Sequence, residues 1–137
     1  MIEELVKYNE TELGELNALM LELGPESTCS QVRLEAVLSD ANSHLYVARI
    51  DGAIVGCATL CVANTPEHVL GFVEAVVVSQ SCRGRHIGRA LMEHLISQAG
   101  SLGVDSIHLT SNPRRTAANA LYRSLGFKLY ETNNYRL

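Results

Sequence analysis

The sequence predicts an α/β (α+β) fold: a mixed, largely antiparallel sheet that gains one parallel strand through a helical crossover, with helices on both faces. Three observations carry this. Between residues 44 and 78 three apolar, β-branched runs follow one another, and the first two are separated only by Asp51-Gly52, the dipeptide of a tight hairpin. A segment with Ile87, Leu91, Leu95 and Ala99 at three- and four-residue steps comes next, the period of a half-buried helix. Then a further apolar run, Val104–Thr110, follows the stop at Gly100–Gly103. A strand reached through a helix must return parallel to the one it left, here Val69–Val78.

In chain order, Ile2 to Tyr8 holds Leu5-Val6 before a turn-like Asn9 and is expected to be a first strand. From Glu10 to Leu23, Leu13, Leu16, Leu19, Met20 and Leu23 recur at helical spacing. Asn9 or Thr11 can cap this helix and Gly24-Pro25 ends it. Ser30 to Leu38 repeats the pattern with Val32, Leu34, Val37 and Leu38. His44–Ile50 and Ala53–Val62 are the two arms of the hairpin. Asn64-Thr65-Pro66-Glu67 breaks the chain before Val69–Val78. After the crossover helix Ile87–Ala99 and the strand Val104–Thr110, a short helix is expected over Arg114–Ser124, with Gly126 at its C-terminal end. Phe127–Leu137 is expected to be a final strand or hairpin arm. No repeat, low-complexity tract or linker interrupts the 137 residues, so one domain spanning 1–137 is expected.

Composition excludes several classes of function. The net charge is -4, which disfavours a wide nucleic-acid-binding face and makes an arginine cluster conspicuous. No apolar run approaches the length of a membrane span, and Met-Ile-Glu-Glu-Leu lacks the basic start and apolar core of a signal peptide. A cytoplasmic location and no membrane partner are expected. Cys29, Cys57, Cys61 and Cys82 form no C-x-x-C pair and have no histidine at zinc-finger spacing. Cys57 and Cys61, four strand residues apart, are separated by about 13 Å, too far for a disulfide or a shared metal ion. No metal site is expected.

The chemistry concentrates between Val76 and Met92, where Val76-Val77-Val78 runs through Ser79-Gln80-Ser81-Cys82 into Arg83-Gly84-Arg85-His86-Ile87-Gly88-Arg89-Ala90. A strand, a basic glycine-bearing turn and a new helix N-terminus form a place to hold an anion. The first amides of a helix have no intrahelical partner and sit at the positive end of its dipole. Gly84 and Gly88 allow close approach to the backbone, and Arg83, Arg85 and Arg89 add charge. Absence of Gly-Lys-Ser/Thr and of G-x-G-x-x-G excludes the nucleotide P-loop and the dinucleotide fingerprint. A solvated basic turn is the alternative.

With Ala118, Leu121-Tyr122 and Leu125-Gly126-Phe127 added, these residues resemble the GNAT acetyltransferase superfamily, over roughly residues 45–127. That family's turn reads Arg/Gln-x-x-Gly-x-Gly/Ala. Arg83, Ile87 and Gly88 match it in frame, whereas His86 stands where the first motif glycine is usual. The resemblance implies a GNAT-like sheet with a central parallel pair, splayed to admit the pantetheine arm of acetyl-CoA. It implies that amides of Arg83, Gly84, Arg85, His86, Ile87, Gly88, Arg89 and Ala90 hold the pyrophosphate, and that the backbone of Val76, Val77 and Val78 lines the pantetheine. It places an asparagine contact to CoA near the start of the short helix, for which Asn112 and, at the family's spacing, Arg115 are the candidates.

Two side chains are candidates for proton transfer, each with a structural alternative. Glu74 interrupts the apolar strand Phe72–Val78; burial there would favour its protonated form and suit it to act as general base. It also stands nine positions before Arg83, where many family members carry an acidic residue. The alternative is a strand carboxylate turned to solvent. Tyr122 occupies the place of the family's thiolate-protonating tyrosine, and a phenol is acidic enough to return a proton to a thiolate. The alternative is a core tyrosine. His108 is expected on a sheet face, His44, His68 and His94 at the surface, and His86 near a phosphate or in solvent.

The resemblance therefore implies an N-acetyltransferase moving acetyl from acetyl-CoA to a primary amine of a small molecule. An amino-sugar or amino-acid-like amine is compatible. The run Glu-x-Val-Val-Val with Cys-Arg-Gly is similar to glucosamine-6-phosphate N-acetyltransferases, often dimeric, which usually carry an acidic residue where Ala75 stands; a homodimer is one arrangement this implies. A peptide or protein amine is an alternative acceptor. A non-catalytic acyl-CoA-binding regulatory domain is the alternative from another class.

Overall fold

Capping chemistry starts the first helix where the sequence places it. In the computed structural model, which describes residues 1–137, β1 is Ile2–Glu4 and α1 is Glu10–Leu23. Asn9 Oδ1 accepts from the Glu12 amide (2.8 Å), and Glu12 Oε1 accepts from the Asn9 amide (3.0 Å), so two orphan donors of the helix start are satisfied reciprocally. Arg49 bonds both Glu12 and Glu3; its guanidinium beside Glu12 holds that carboxyl below its usual range. The α1 N-terminus is thereby tied to the sheet. The second helix, α2, is Gln31–Ser39, capped by Ser30.

The hairpin follows: β2 is Ser43–Ile50 and β3 is Ala53–Asn64. Asp51 and Gly52 both take positive φ, 50° and 83°, as a two-residue turn between twisted strands requires. Strand β4, Val69–Val78, pairs antiparallel with β3. A single 3-10 turn at Gln80–Cys82 leads to α3, Ile87–Ser101. Strand β5, Ser106–His108, is shorter than the expected Val104–Thr110 and pairs parallel with Leu70–Phe72. The last helix, α4, is Thr116–Ser124. The strand order is β1-β2-β3-β4-β5. No helix is long and apolar enough to cross a membrane.

Two cores lie on opposite faces of this sheet. On one, Leu91, Met92, Leu95 and Ala99 of α3 pack with Tyr46, Leu60, Val73 and Tyr122. On the other, Leu16, Leu19 and Leu34 of α1 and α2 pack with Val47, Cys57 and Val77. Each large aliphatic side chain sealed there contributes about 1.5–3 kcal/mol. Close fit is local too: a methyl on Gly71 would come within 3.0 Å of Val104 and 3.1 Å of Leu60.

Four expectations are corrected. Phe127–Leu137 forms no strand: from Lys128 onward no backbone group is hydrogen-bonded to the protein, and a strand exists only through its ladder partner. Leu129, Tyr130 and Tyr135 are exposed. The parallel pair in consequence stands at the edge of the sheet, not at its centre. His44 and His94 are half-buried rather than on the surface. His44 Nδ1 lies 3.0 Å from Glu4, and His94 meets the Tyr46 ring edge-on at 5.2 Å. Glu74 is exposed, for a reason that belongs to the site.

Candidate active site

Strand β4 carries a bulge. Its register with β3 shifts between Thr59↔Glu74 and Cys57↔Val77, and Ala75 adopts φ 51°. One extra residue inverts every side chain beyond it. Val73 accordingly packs with α3, whereas Val77, four residues on, packs with α1 and α2. Strand alternation sets Glu74 opposite Val73, on the α1/α2 face, where it meets solvent instead of the core. This carboxylate is therefore exposed, not enclosed as the strand pattern suggested. The Cys57 thiol lies 3.6 Å from the Ala75 carbonyl and donates to it; burial pushes that thiol up to about 12.

Past the bulge β4 loses its outer neighbour. Strand β5 pairs only with Leu70, Gly71 and Phe72, so the outer edge of Val73–Val78 has no strand partner. Val76 and Val78 are half-buried and Val77 is buried in the α1/α2 core. The edge leaves room for an extended chain to pair as an added strand would.

At the end of this open edge stands the turn. Gly84 has φ 83° and His86 φ 61°. His86 is the residue before α3 and has no capping bond; it occupies the left-handed region that glycine enters freely. This explains why a glycine would suit position 86. Among the turn, loop and cap hydrogen bonds none is donated by the amides of Gly84, Arg85, His86, Ile87, Gly88 or Arg89, and the first resumption is Ala90 to the His86 carbonyl at 3.1 Å. Six consecutive main-chain donors are thus left without a protein acceptor at the positive end of a 15-residue helix. Such a cradle fits a diphosphate.

The three arginines differ in their surroundings. Arg83 is engaged by the protein, its guanidinium 3.8 Å from Glu22 and 3.4 Å from the Val78 carbonyl. Arg89 bonds the Ser124 hydroxyl on α4. Arg85 is exposed and makes no ion pair. Glu22, which the sequence reading missed, also accepts from the Gln80 amide at 2.8 Å. One carboxylate on α1 therefore fixes both the start of the turn and its first arginine. No local pattern announces it, because Glu22 and Gln80 meet only through the fold.

Tyr122 is 6% exposed, on α4, its ring edge-on to Phe127 at 6.1 Å. Its hydroxyl makes no hydrogen bond within the protein, yet it is not among the sealed, unpartnered polar atoms, which are Tyr46 Oη and Ser111 Oγ. The ring is buried and the hydroxyl opens onto space. Burial raises the phenol above its ordinary value, and Arg115 at the head of α4 opposes that. Asn112 Oδ1 accepts from the Arg114 amide at 2.9 Å, and its carbonyl accepts from the Arg115 amide at 3.0 Å. It shapes the turn into α4, with its side-chain NH2 left free. His108 lies on β5, 2.8 Å from Ser106 Oγ and against Phe72.

A cavity of about 170 Å³ lies between α1, α2 and the bulge, with Ala75, Cys57 and Thr59 among its walls. A wider depression of about 370 Å³, bordered by Val6, Tyr8 and Glu35, is open and shares no residue with the turn. The smaller one likewise shares no residue with the turn, and it reaches the bulge at Ala75.

Comparison with known proteins agrees with this geometry. The chain is 29% identical over 115 residues to the IAA acetyltransferase of Azospirillum brasilense, covering 84% of this chain and 73% of that protein. It is 30% identical over 95 residues to the aminoalkylphosphonate N-acetyltransferase of Salmonella typhimurium, covering 68% and 62%; the chain thus spans less than two thirds of that relative. A solved acetyltransferase of Trypanosoma brucei superposes with a TM-score of 0.80 at 27% identity, covering 100% of this chain and 97% of that one. The acetyltransferase (GNAT) family model matches residues 8–127, a span that includes the bulged strand, the open turn and Tyr122. By sequence and by fold, the chain belongs to the GNAT acetyltransferase family.

Proposed function

We propose that residues 1–137 act as one domain that transfers the acetyl group of acetyl-CoA to a primary amine of a small molecule. The observation that carries this reading is the run of unpartnered amides from Gly84 to Arg89 at the end of an unpaired strand edge. In the proposal these amides, with Arg83, Arg85 and Arg89, hold the pyrophosphate, and Ala90 closes the cradle. Pantetheine runs along Val76, Val77 and Val78, one of whose amides polarises the thioester carbonyl. Asn112 and Arg115 flank the CoA at the head of α4.

The chemistry balances as follows. The ammonium of the acceptor gives a proton to Glu74, directly or across one water. The neutral nitrogen attacks the carbonyl carbon and forms the C–N bond. As the tetrahedral adduct collapses, the C–S bond breaks and Tyr122 protonates the departing thiolate. The second proton of the amine nitrogen returns the phenol to its neutral form. One proton is released per turnover.

Two relatives whose names include N-acetyltransferase or acetyltransferase support an amine acceptor, and the acidic net charge weighs against a nucleic-acid partner. The test is CoA release from acetyl-CoA with a panel of small amines and peptides, beside calorimetry of CoA binding. Acceleration by small amines upholds the reading. Tight binding with no acceleration by any amine would make the chain a non-catalytic acyl-CoA sensor, and no binding would remove the phosphate cradle altogether.

A further inference from the structure

The cavity between α1, α2 and the bulge has an unusual wall. Met20, Cys29, Cys57 and Ala75 make most of it apolar, Thr59 adds one hydroxyl, and Arg33 of α2 stands at its border. Arg33 is exposed and, like most arginines of the chain, has no carboxylate partner; it alone of them stands in the wall of this cavity. A lone guanidinium at an apolar cavity, in a chain of net charge -4, is a receptor for an anion. Its field reaches the interior: burial pushes the Cys29 thiol up, and Arg33 acts against that shift.

An acidic residue stands close to the strand side of the wall, next to the lining residues Thr59 and Ala75. Alternation and the bulge set Glu74 on this same face, in register with Thr59 and next to Ala75. The cavity therefore has an arginine of α2 in its wall and a greasy middle, and the carboxylate of Glu74 stands beside two of its lining residues without lining it. Its volume of about 170 Å³ lies below the ~300–1,000 Å³ of ordinary ligand pockets, which favours a compact guest over a sugar phosphate or an aminoglycoside.

We infer that this cavity seats the acceptor, and that the acceptor is an amino acid with an aliphatic or aromatic body, its ammonium at Glu74 and its carboxylate on Arg33. The inference rests on the acetyltransferase reading above. An apolar body displaces poorly held water from the walls, and the two charged ends fix which atom meets the thioester. A guest lacking the carboxylate leaves Arg33 to solvent and loses only that contact. Arg33 therefore sets specificity and takes no part in bond making.

The experiment compares three amino acids with the amines that lack their carboxylate: leucine with 3-methylbutylamine, phenylalanine with 2-phenylethylamine, and 6-aminohexanoate with pentylamine. N-acetyl product is quantified by mass spectrometry. At least one amino acid is expected to exceed its matched amine by about tenfold in kcat/KM, the scale of a charge-assisted bond at a solvated mouth. Arg33→Gln should abolish that preference, read as the ratio of the two kcat/KM values, while leaving acetyl-CoA affinity unchanged. Arg33→Lys should retain part of it. Amines acetylated as well as their amino acids, or a preference that survives Arg33→Gln, would overturn the inference while leaving the acetyltransferase reading intact. Calorimetry of the same amino acids against the CoA-bound protein reads Arg33 without turnover. Affinity lost in Arg33→Gln upholds the inference even if catalysis fails, and equal affinity in both proteins ends it.

Discussion

Replacing Tyr122 by phenylalanine separates its chemistry from its packing. The ring fills a buried place against Phe127 and the α3 core, and phenylalanine preserves that contact. The hydroxyl has no protein hydrogen bond to lose, so the ~0.5–1.5 kcal/mol typical of such a bond is not at stake. Stability should stay within about 0.5 kcal/mol of wild type, a melting shift below about 2 °C for a chain of this size. Turnover should fall about 100-fold, the lower range for a lost general acid because a thiolate already leaves well; this corresponds to about 2.7 kcal/mol of barrier. The KM for acetyl-CoA should hold. The pH profile gives a second reading. Burial raises the phenol above its ordinary value, so the proton is present below that raised value and lost only as pH climbs through it. Wild-type kcat should keep its plateau past pH ~10, and removing the opposing charge with Arg115→Ala should move the alkaline limb further up. In Tyr122→Phe that limb should vanish. A Tyr122→Phe enzyme with kcat within twofold of wild type would refute the assignment, and water would take the role.

Three further outcomes are expected. His86→Gly should relieve the left-handed strain at φ 61° and stabilise the fold by about 1 kcal/mol, read from urea midpoints, with CoA affinity kept or improved; a destabilised variant would mean the imidazole has a contact that outweighs the strain. Tyr46 and Cys57, both pushed up to about 12 by burial, are held neutral in the native state. Their contribution is complete below the unfolded values and is lost as pH rises from about 9 toward 12, at about 1.4 kcal/mol per pH unit for each ionising group; equal urea midpoints at pH 8 and 11 would contradict this. The Cys57 thiol should resist alkylation in the native protein and react on unfolding, whereas half-buried Cys29, Cys61 and Cys82 react before it, as peptide mapping after brief iodoacetamide treatment would reveal.

Glu74 and Glu22 show where reading the chain alone reaches its limit. From Phe72 to Val78 the residues alternate as a continuous buried strand, and a carboxylate within it looks desolvated. The bulge at Ala75 changes this, and nothing in the local pattern distinguishes Ala75 from any other strand alanine. Glu22 looks like one more acidic residue on an amphipathic helix, yet it grips the turn 58 positions later. The final residues fail in the other direction: Phe127–Leu137 has strand composition and finds no ladder partner.

Sequence alone determined what depends on near neighbours: the helix periods, the Asp51-Gly52 hairpin, a cap at Asn9 or Thr11, and the free amides ahead of Ala90. Each follows from the reach of a hydrogen bond over three or four residues, or from the φ that one residue type tolerates. Tertiary structure alone decided which face Glu74 meets, how far β5 follows β4, and which cavity Arg33 borders. Those are set by register and packing between segments dozens of residues apart, and a one-residue slip in a strand reverses them at no local cost.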